Sequence, residues 1–397
     1  MRSLRIAQVV PPIERVPPLA YGGTERIVDA LAATLAAHGH DLTTFASGDS
    51  IVPGELVPTV PRALRPDGFG GDISPYMLTT LRAVLDRAPE FDVIHSHLES
   101  WSALLARVSP VPVVSTFHGR LDLPWVADLL DGLGEPGGTD APSRFVAVSR
   151  HQASAQPGVP WTVIHNGLDL SRMPFVEQPN ESLCFVGRVD PEKGIVEAIE
   201  IARRAGRRLR IAAKVGTLPH QRAYDEEVFK PALDAAGSDV EYLGELSPAE
   251  RDQLFAESYA TLMPGSWPEP FGLVAIESLA CGTPVVARRV GGLPEILREG
   301  VDGWFGDDIR HLAFLVDRVA GLDRAEIRRS VLDRFSATRM TTAYEELYGE
   351  LLEARSTPLL RAGAEGGNGH HRHAAGRRNG PDTARKVAET RSERAPR

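Results

Sequence analysis

Glu269 and Glu277 stand eight residues apart in the stretch Met263-Pro264-Gly265-Ser266-Trp267-Pro268-Glu269-Pro270-Phe271-Gly272-Leu273-Val274-Ala275-Ile276-Glu277, which reads as a strand end, a turn and a helix. In a helix that spacing separates the carboxylates by up to roughly 12 Å, at about 1.5 Å per residue. A retaining glycosidase pair needs roughly 5–5.5 Å, so these two do not make one. A two-handed grip fits better, with Glu269 accepting hydroxyls at one end of a ligand and Glu277 at the other. The amides of Phe271, Gly272, Leu273 and Val274, at a free helix N-terminus, then suit a phosphate between the two ends. Sugar, pyrophosphate and ribose form such a ligand. The bland alternative is a helix-end charge at Glu269 and a solvated Glu277.

Lysine is rare, since Lys193, Lys214, Lys230 and Lys386 are the only four among 44 basic residues. Lys193 falls in Phe185-Val186-Gly187-Arg188-Val189-Asp190-Pro191-Glu192-Lys193-Gly194, a strand-to-helix turn at the carboxyl edge where open α/β sheets bind ligands. Arg188 and Lys193 would there neutralise a pyrophosphate and stabilise it as a leaving group. A surface pair of Arg188 with Glu192 is the alternative. Lys214 ends the next strand and either faces the same cleft or is solvated or salt-bridged. Gly22-Gly23 offers bare backbone amides to an anion. The full G-x-G-x-x-G fingerprint is absent there, which disfavours a dehydrogenase. His118 follows the strand Val113–Phe117 and opens into the cleft or is a buried structural histidine. His95 and His97 look like an H-x-H metal pair without a third ligand, so structural roles are favoured. No D-x-D occurs, and no metal site is expected.

These residues need elements to hold them. Short apolar runs alternate with helix-period segments, the pattern of parallel sheets covered by helices. Strands are expected at Leu4–Val10, Asp41–Ala46, Val93–Ser96, Val113–Phe117 and Phe145–Ser149, with helices from Gly22-Gly23 through about Ala37 and over Met77–Arg87. Near Trp161–Gly167 the grammar restarts, with strands Leu183–Val189, Leu209–Val215, Val240–Leu243, Ala260–Met263 and Val285–Ala287. Helices are expected over Ile195–Ala205, Tyr224–Ala236, after the capping box Ser247-Pro248-Ala249-Glu250, over Phe271–Cys281, and over Ile309–Gly321, Asp323–Phe335 and Thr341–Glu353. The expected fold class is α/β, two Rossmann-like doubly wound domains facing each other across a cleft. The expected parts are residues 1–168, 169–335, a terminal helix within 336–356 that crosses back to the first domain, and a disordered tail over 361–397.

The 397 residues, 42% hydrophobic, suit two such domains. The net charge of −9 combines a basic tail, nine Lys/Arg against four Asp/Glu over 361–397, with an acidic body. An acidic body argues against nucleic acid as a partner. Cys184 and Cys281 cannot build a disulfide framework, no run is long enough to span a membrane, and the first residues are too short for a signal peptide. A cytoplasmic protein is expected, with membrane contact at most peripheral.

Taken together, Gly22-Gly23, Thr116-Phe117-His118-Gly119, Val148-Ser149, Ile164-His165-Asn166-Gly167, Gly187-Arg188 with Glu192-Lys193-Gly194, and the E-x7-E segment resemble the retaining glycosyltransferases of family 4 over about residues 1–355. The resemblance implies the GT-B fold and a nucleotide-diphosphate sugar as donor substrate, with no cofactor required. It implies that Glu269 and the amides of Phe271 and Gly272 hold the donor sugar, that Glu277 holds the ribose diol, and that Arg188 and Lys193 bind the diphosphate. His118 matches the family's active-site histidine. It further implies a metal-independent front-face reaction in which the leaving diphosphate helps to deprotonate the incoming hydroxyl, with Gly22 and Gly23 on the donor side too. Family frequency favours a UDP-sugar. The acceptor, a sugar, a lipid-linked molecule or another small molecule, would be chosen by loops such as Pro11–Ala20, Ile51–Ser74 and Arg120–Pro142. A glycogen- or starch-synthase-like polymerase shares the fold. Other readings on the same architecture are a non-catalytic nucleotide-sugar-binding protein, and an epimerase or hydrolase, which would need a carboxylate pair near the sugar.

Overall fold

The computed structural model describes residues 2–19, 22–66, 68–133 and 141–356. The expected tail over 361–397 lies outside them. The first sheet grows from β1 (Arg5–Val9), α1 (Gly23–Ala37), β2 (Asp41–Ser47), β3 (Glu55–Val60), α2 (Ser74–Arg87), β4 (Val93–Ser96), α3 (Ser100–Val108), β5 (Val113–Phe117), α4 (Pro124–Leu133), β6 (Ser143–Ala147), α5 (Arg150–Ser154) and β7 (Trp161–Val163). Its seven strands run in the order β3-β2-β1-β4-β5-β6-β7, parallel throughout. Helices cover both faces, which is why a strand such as β1 buries Ile6, Ala7, Gln8 and Val9 alike.

The second sheet comes from β8 (Leu183–Val189), α6 (Ile195–Ala205), β9 (Leu209–Val215), α7 (Pro219–Tyr224), α8 (Lys230–Ala236), β10 (Val240–Gly244), α9 (Pro248–Glu257), β11 (Ala260–Met263), α10 (Leu273–Ala280), β12 (Val285–Arg288), α11 (Leu293–Ile296) and β13 (Gly303–Gly306). Its six strands are ordered β10-β9-β8-β11-β12-β13, again parallel. The described residues close with α12 (Ile309–Val316), α13 (Arg324–Arg334) and α14 (Ala337–Ser356). Both sheets reverse their winding in the middle, between β1 and β4 and between β8 and β11. Such switch points open a crevice at the carboxyl ends of the strands.

Several expected elements shift. Phe145–Ser149 is not a strand to its end: β6 stops at Ala147, and Ser149 caps α5 by accepting from the Gln152 N–H. The segment at Trp161 still belongs to the first sheet, as its edge strand beside β6. The expected loop Ile51–Ser74 contains β3, and Arg120–Pro142 contains α4. A single helix over Tyr224–Ala236 is instead α7, a π-helical turn at Asp225–Phe229, and α8. The capping box before α9 forms, with Ser247 accepting from Glu250 N and Glu250 from Ser247 N.

Packing ties α14 back to α1 and the first sheet. One apolar cluster runs from Ile27, Leu31 and Leu35 on α1 through Ile276 and Leu279 on α10 to Tyr344, Leu347 and Leu351 on α14. The Tyr344 hydroxyl lies 2.9 Å from Thr116 Oγ1, and the Tyr348 hydroxyl 2.7 Å from His95 Nδ1. Glu345 meets His38 and His40 at 2.9 Å each.

Candidate active site

A cavity of about 470 Å³ opens at the two switch points. Gly22, Gly23, His118, Arg188, Lys193, Glu269, Phe271, Gly272, Leu273, Val274 and Glu277, spread over 256 positions of sequence, all line it. The first sheet contributes the start of α1 and the residue after β5. The second contributes the end of β8, the turn after it, and the loop from β11 into α10.

Both helix starts lack a side-chain cap. Gly22 before α1 and Gly272 before α10 have no side chain to cap the first amides, which keeps those N–H groups available. Gly272 has φ +119, and a Cβ there would lie 2.7 Å from the Leu293 side chain, so only glycine makes this entry. A Cβ on Gly23 would lie 3.5 Å from Leu273 Cδ1, which places the two helix starts opposite one another.

The charged side chains are differently engaged from the sequence expectation. Lys193 Nζ donates to Glu269 Oε1, so the residues assigned to diphosphate and sugar bond to each other. Arg188 does not pair with Glu192: among the described residues its nearest carboxylate is Asp190, at 3.7 Å, and its Nε is buried without a partner. Glu277 is neither solvated nor an open hand. It is 2% exposed, and its Oε1 lies 2.5 Å from Arg26 Nη2 and 3.0 Å from Arg251 Nη2, without the alignment of a hydrogen bond. A carboxylate so buried needs such countercharge. Lys214 is salt-bridged to Glu245 at 3.3 Å and does not line the cavity.

The histidines form a chain. His118 Nε2 meets His97 Nδ1 at 3.0 Å, and His97 Nε2 meets Gln8 Oε1 at 3.0 Å. His95 bonds Thr116 Oγ1 at 2.8 Å as well as Tyr348. Burial lowers the pKa of His95 and His97 well below the usual value and that of His118 to about 4, so these rings are neutral hydrogen-bonding groups at pH 7. Among the described residues no group of His, Cys, Asp or Glu is arranged to hold a metal ion.

Among the cavity residues to which the sequence argument gave no role are Arg26, Asn166, Glu99 and Arg251. Arg26 was within reach, one helical turn beyond Gly22-Gly23. Asn166 stands in the Ile164-His165-Asn166-Gly167 motif, and its buried Oδ1 has no partner among the described residues. Glu99 has a positive φ of +51 and accepts from the amides of His118 and Gly119 at 2.9 and 3.1 Å; burial raises its pKa to about 7 against those two bonds. Arg251, on α9, carried no local signal. Arginine and lysine charge, two uncapped helix starts and flanking carboxylates together suit a ligand with hydroxyls at its ends and phosphates between them.

The family model Glycosyltransferase Family 4 matches residues 21–172, and Glycosyl transferases group 1 matches residues 173–320. The chain is 30% identical over 380 residues to a glycogen synthase of Mycobacterium tuberculosis strain H37Rv, spanning 83% of this chain and 89% of the relative. It is 31% identical over 365 residues to a D-inositol 3-phosphate glycosyltransferase of Arthrobacter sp. strain FB24, spanning 79% and 82%. Among solved structures, AviGT4, a glycosyltransferase involved in avilamycin A biosynthesis, superposes with a TM-score of 0.66 at 26% identity, over 88% of this chain and 98% of that one. Anabaena HepE, solved with UDP and glucose, shares the fold with a TM-score of 0.65 at 19% identity, over 87% and 99%. The chain, with its paired parallel sheets of GT-B type, belongs to glycosyltransferase family 4, a family of retaining hexosyltransferases that use nucleotide-sugar donors.

Proposed function

We propose that this enzyme moves a hexose from a UDP-sugar to an acceptor hydroxyl by a metal-independent front-face reaction. The observation that carries the reading is the meeting of two uncapped helix starts with Arg188 and Lys193 in one cavity flanked by Glu269 and Glu277. The amides of Phe271 to Val274, the amides at Gly22 and Gly23, and the two cations take the diphosphate, and their charge stabilises it as it leaves. Glu269 exchanges Lys193 for hydroxyls of the donor sugar, and Glu277 receives the ribose diol. His118, neutral and held by His97, hydrogen-bonds at the reacting sugar. The departing phosphate oxygen takes the acceptor's proton, and because the acceptor oxygen attacks on the face from which the diphosphate leaves, the enzyme needs no nucleophile of its own.

Residues 1–168 form the acceptor side and 169–335 the donor domain, with 336–356 returning to the first sheet. UDP rests on its frequency in the family and on its presence in HepE. The named relatives suggest two acceptor classes, a glucan and an inositol phosphate. No helix of the described residues is long and apolar enough to cross a membrane, and free, buried Cys184 and Cys281 suit a reducing cytoplasm. The test is a thermal-shift titration with UDP, GDP, ADP and NAD, with and without EDTA, on the enzyme and on Glu277→Ala. A rise in Tm with UDP, unchanged by EDTA and reduced in the variant, is expected. A rise with NAD alone, or with no diphosphate, would overturn the reading.

A further inference from the structure

The least expected contact in the cavity joins its two walls. Arg26 leaves the first turn of α1, its own amide bonded to the Gly22 carbonyl at 3.3 Å, and its guanidinium reaches Glu277 on α10 at 2.5 Å. Glu277 is also met from α9 by Arg251, which Asp252 holds in turn at 2.7 Å. The two arginines are not equivalent. Arg251 comes from a helix that covers the same sheet as α10 and is 14% exposed, whereas Arg26 comes from the opposite wall and is 23% exposed, beside the uncapped start of its own helix.

Two physical consequences follow. The Arg26 contact is attraction between charges without an aligned hydrogen bond, since Glu277 Oε1 is buried and unsatisfied. A hydroxyl can therefore offer this oxygen the directed bond it lacks. When Arg26 leaves, Arg251 still compensates the carboxylate, so the exchange does not strand a buried charge, the step that makes most buried pairs costly to break. A displaced Arg26 remains anchored next to Gly22-Gly23, opposite the start of α10, where phosphates are expected.

We propose that Arg26 is a third cationic contact to the donor diphosphate, which competes with the ribose diol for Glu277 and turns to the phosphates when the diol takes that carboxylate. Arg251 is a positioning residue that holds Glu277 in place throughout. The inference rests on the assignment of Glu277 to the diol.

The arrangement makes a prediction of opposite sign for two ligands that share a base and a ribose. A nucleoside gains when its competitor is removed, and a nucleoside diphosphate loses a charged contact. Dissociation constants measured by calorimetry for uridine and UDP, adenosine and ADP, and guanosine and GDP, on the enzyme and on Arg26→Ala, read this directly. For the base the enzyme prefers, the diphosphate is expected to weaken by roughly tenfold, the size of one charge-assisted contact, while the nucleoside tightens severalfold. Arg26→Gln should give the same pair of signs if the alanine variant folds poorly. Equal factors for both ligands, or no change in either, would overturn the proposal. If Glu277→Ala binds both ligands as the parent does, or the parent binds none of the diphosphates, the assignment of Glu277 fails first and takes this inference with it. If Glu277→Ala weakens the nucleoside but Arg26→Ala does not split the two ligands, only the role of Arg26 falls.

Discussion

Glu25 illustrates how much a single cavity residue can hold in reserve. Burial raises its pKa to about 7, with Glu14 adding to the rise against a bond from its own backbone and the nearby Arg65. In the unfolded chain it ionises near the ordinary carboxylate value, so between about 4.5 and 7 the folded protein binds the extra proton. The favourable contribution is complete below the unfolded pKa and is lost as pH rises through 7. Glu25→Gln should then stabilise the protein at pH 8, by up to about 3 kcal/mol for a shift of this size, and bring nothing at pH 4. Denaturant melts at the two pH values check this; an equal effect at both would contradict it. His118 runs the other way, because burial depresses it to about 4 and the unfolded chain takes up a proton first as pH falls below 6.5. At Lys193, alanine should release Glu269 and remove a phosphate contact, lowering kcat/KM by about a hundredfold or more in a steady-state assay.

At the scale of the element, α14 is the part whose contribution is easiest to isolate. It lies along α1, buries Tyr344 and Tyr348 completely, and puts their hydroxyls on Thr116 and His95 in the first sheet. His95 sits two residues from His97, and His97 bonds His118, so the helix braces the strand that carries the histidine chain. Tyr348→Phe should leave the buried His95 Nδ1 without that partner and cost about 1–3 kcal/mol. Chemical denaturation would measure it, and an unchanged midpoint would show that the hydroxyl contributes nothing there.

For the whole molecule, Glu295 joins a helix of the second sheet to residues of the first. From α11 it accepts the amides of Arg150 and His151 on α5 and meets His165 Nε2 at 2.8 Å. Burial raises its pKa, but these bonds outweigh that and bring it down to about 2. A depressed carboxylate stabilises above its unfolded pKa and loses that contribution as pH falls from about 4.5 toward 2. Glu295→Ala should lower the melting temperature at pH 7, split the calorimetric transition in two, and differ least from the parent near pH 2. A single unshifted transition at pH 7 would remove Glu295 from this role.

Much of this was legible in the chain itself. Leu183–Val189, Ile195–Ala205, Leu209–Val215 and Ala260–Met263 announce their elements to the residue, because apolar runs and 3.6-residue periodicity are local consequences of burial on two faces or one. The E-x7-E segment and the Gly-Gly turn are likewise short-range patterns, and their residues do meet in one cavity. Where local signals were weak, the sheet itself decided: Trp161–Val163 is a strand because β6 offers it an edge, and Glu55–Val60 because β2 does. Partnership around this buried carboxylate was invisible to sequence. Arg251 stands 26 residues before Glu277 and Arg26 another 225 before that, and nothing in either neighbourhood names a carboxylate. Only the folding of α1, α9 and α10 around one buried oxygen makes them its countercharge, since the need for that charge arises from desolvation, which exists only once the tertiary structure has removed the water.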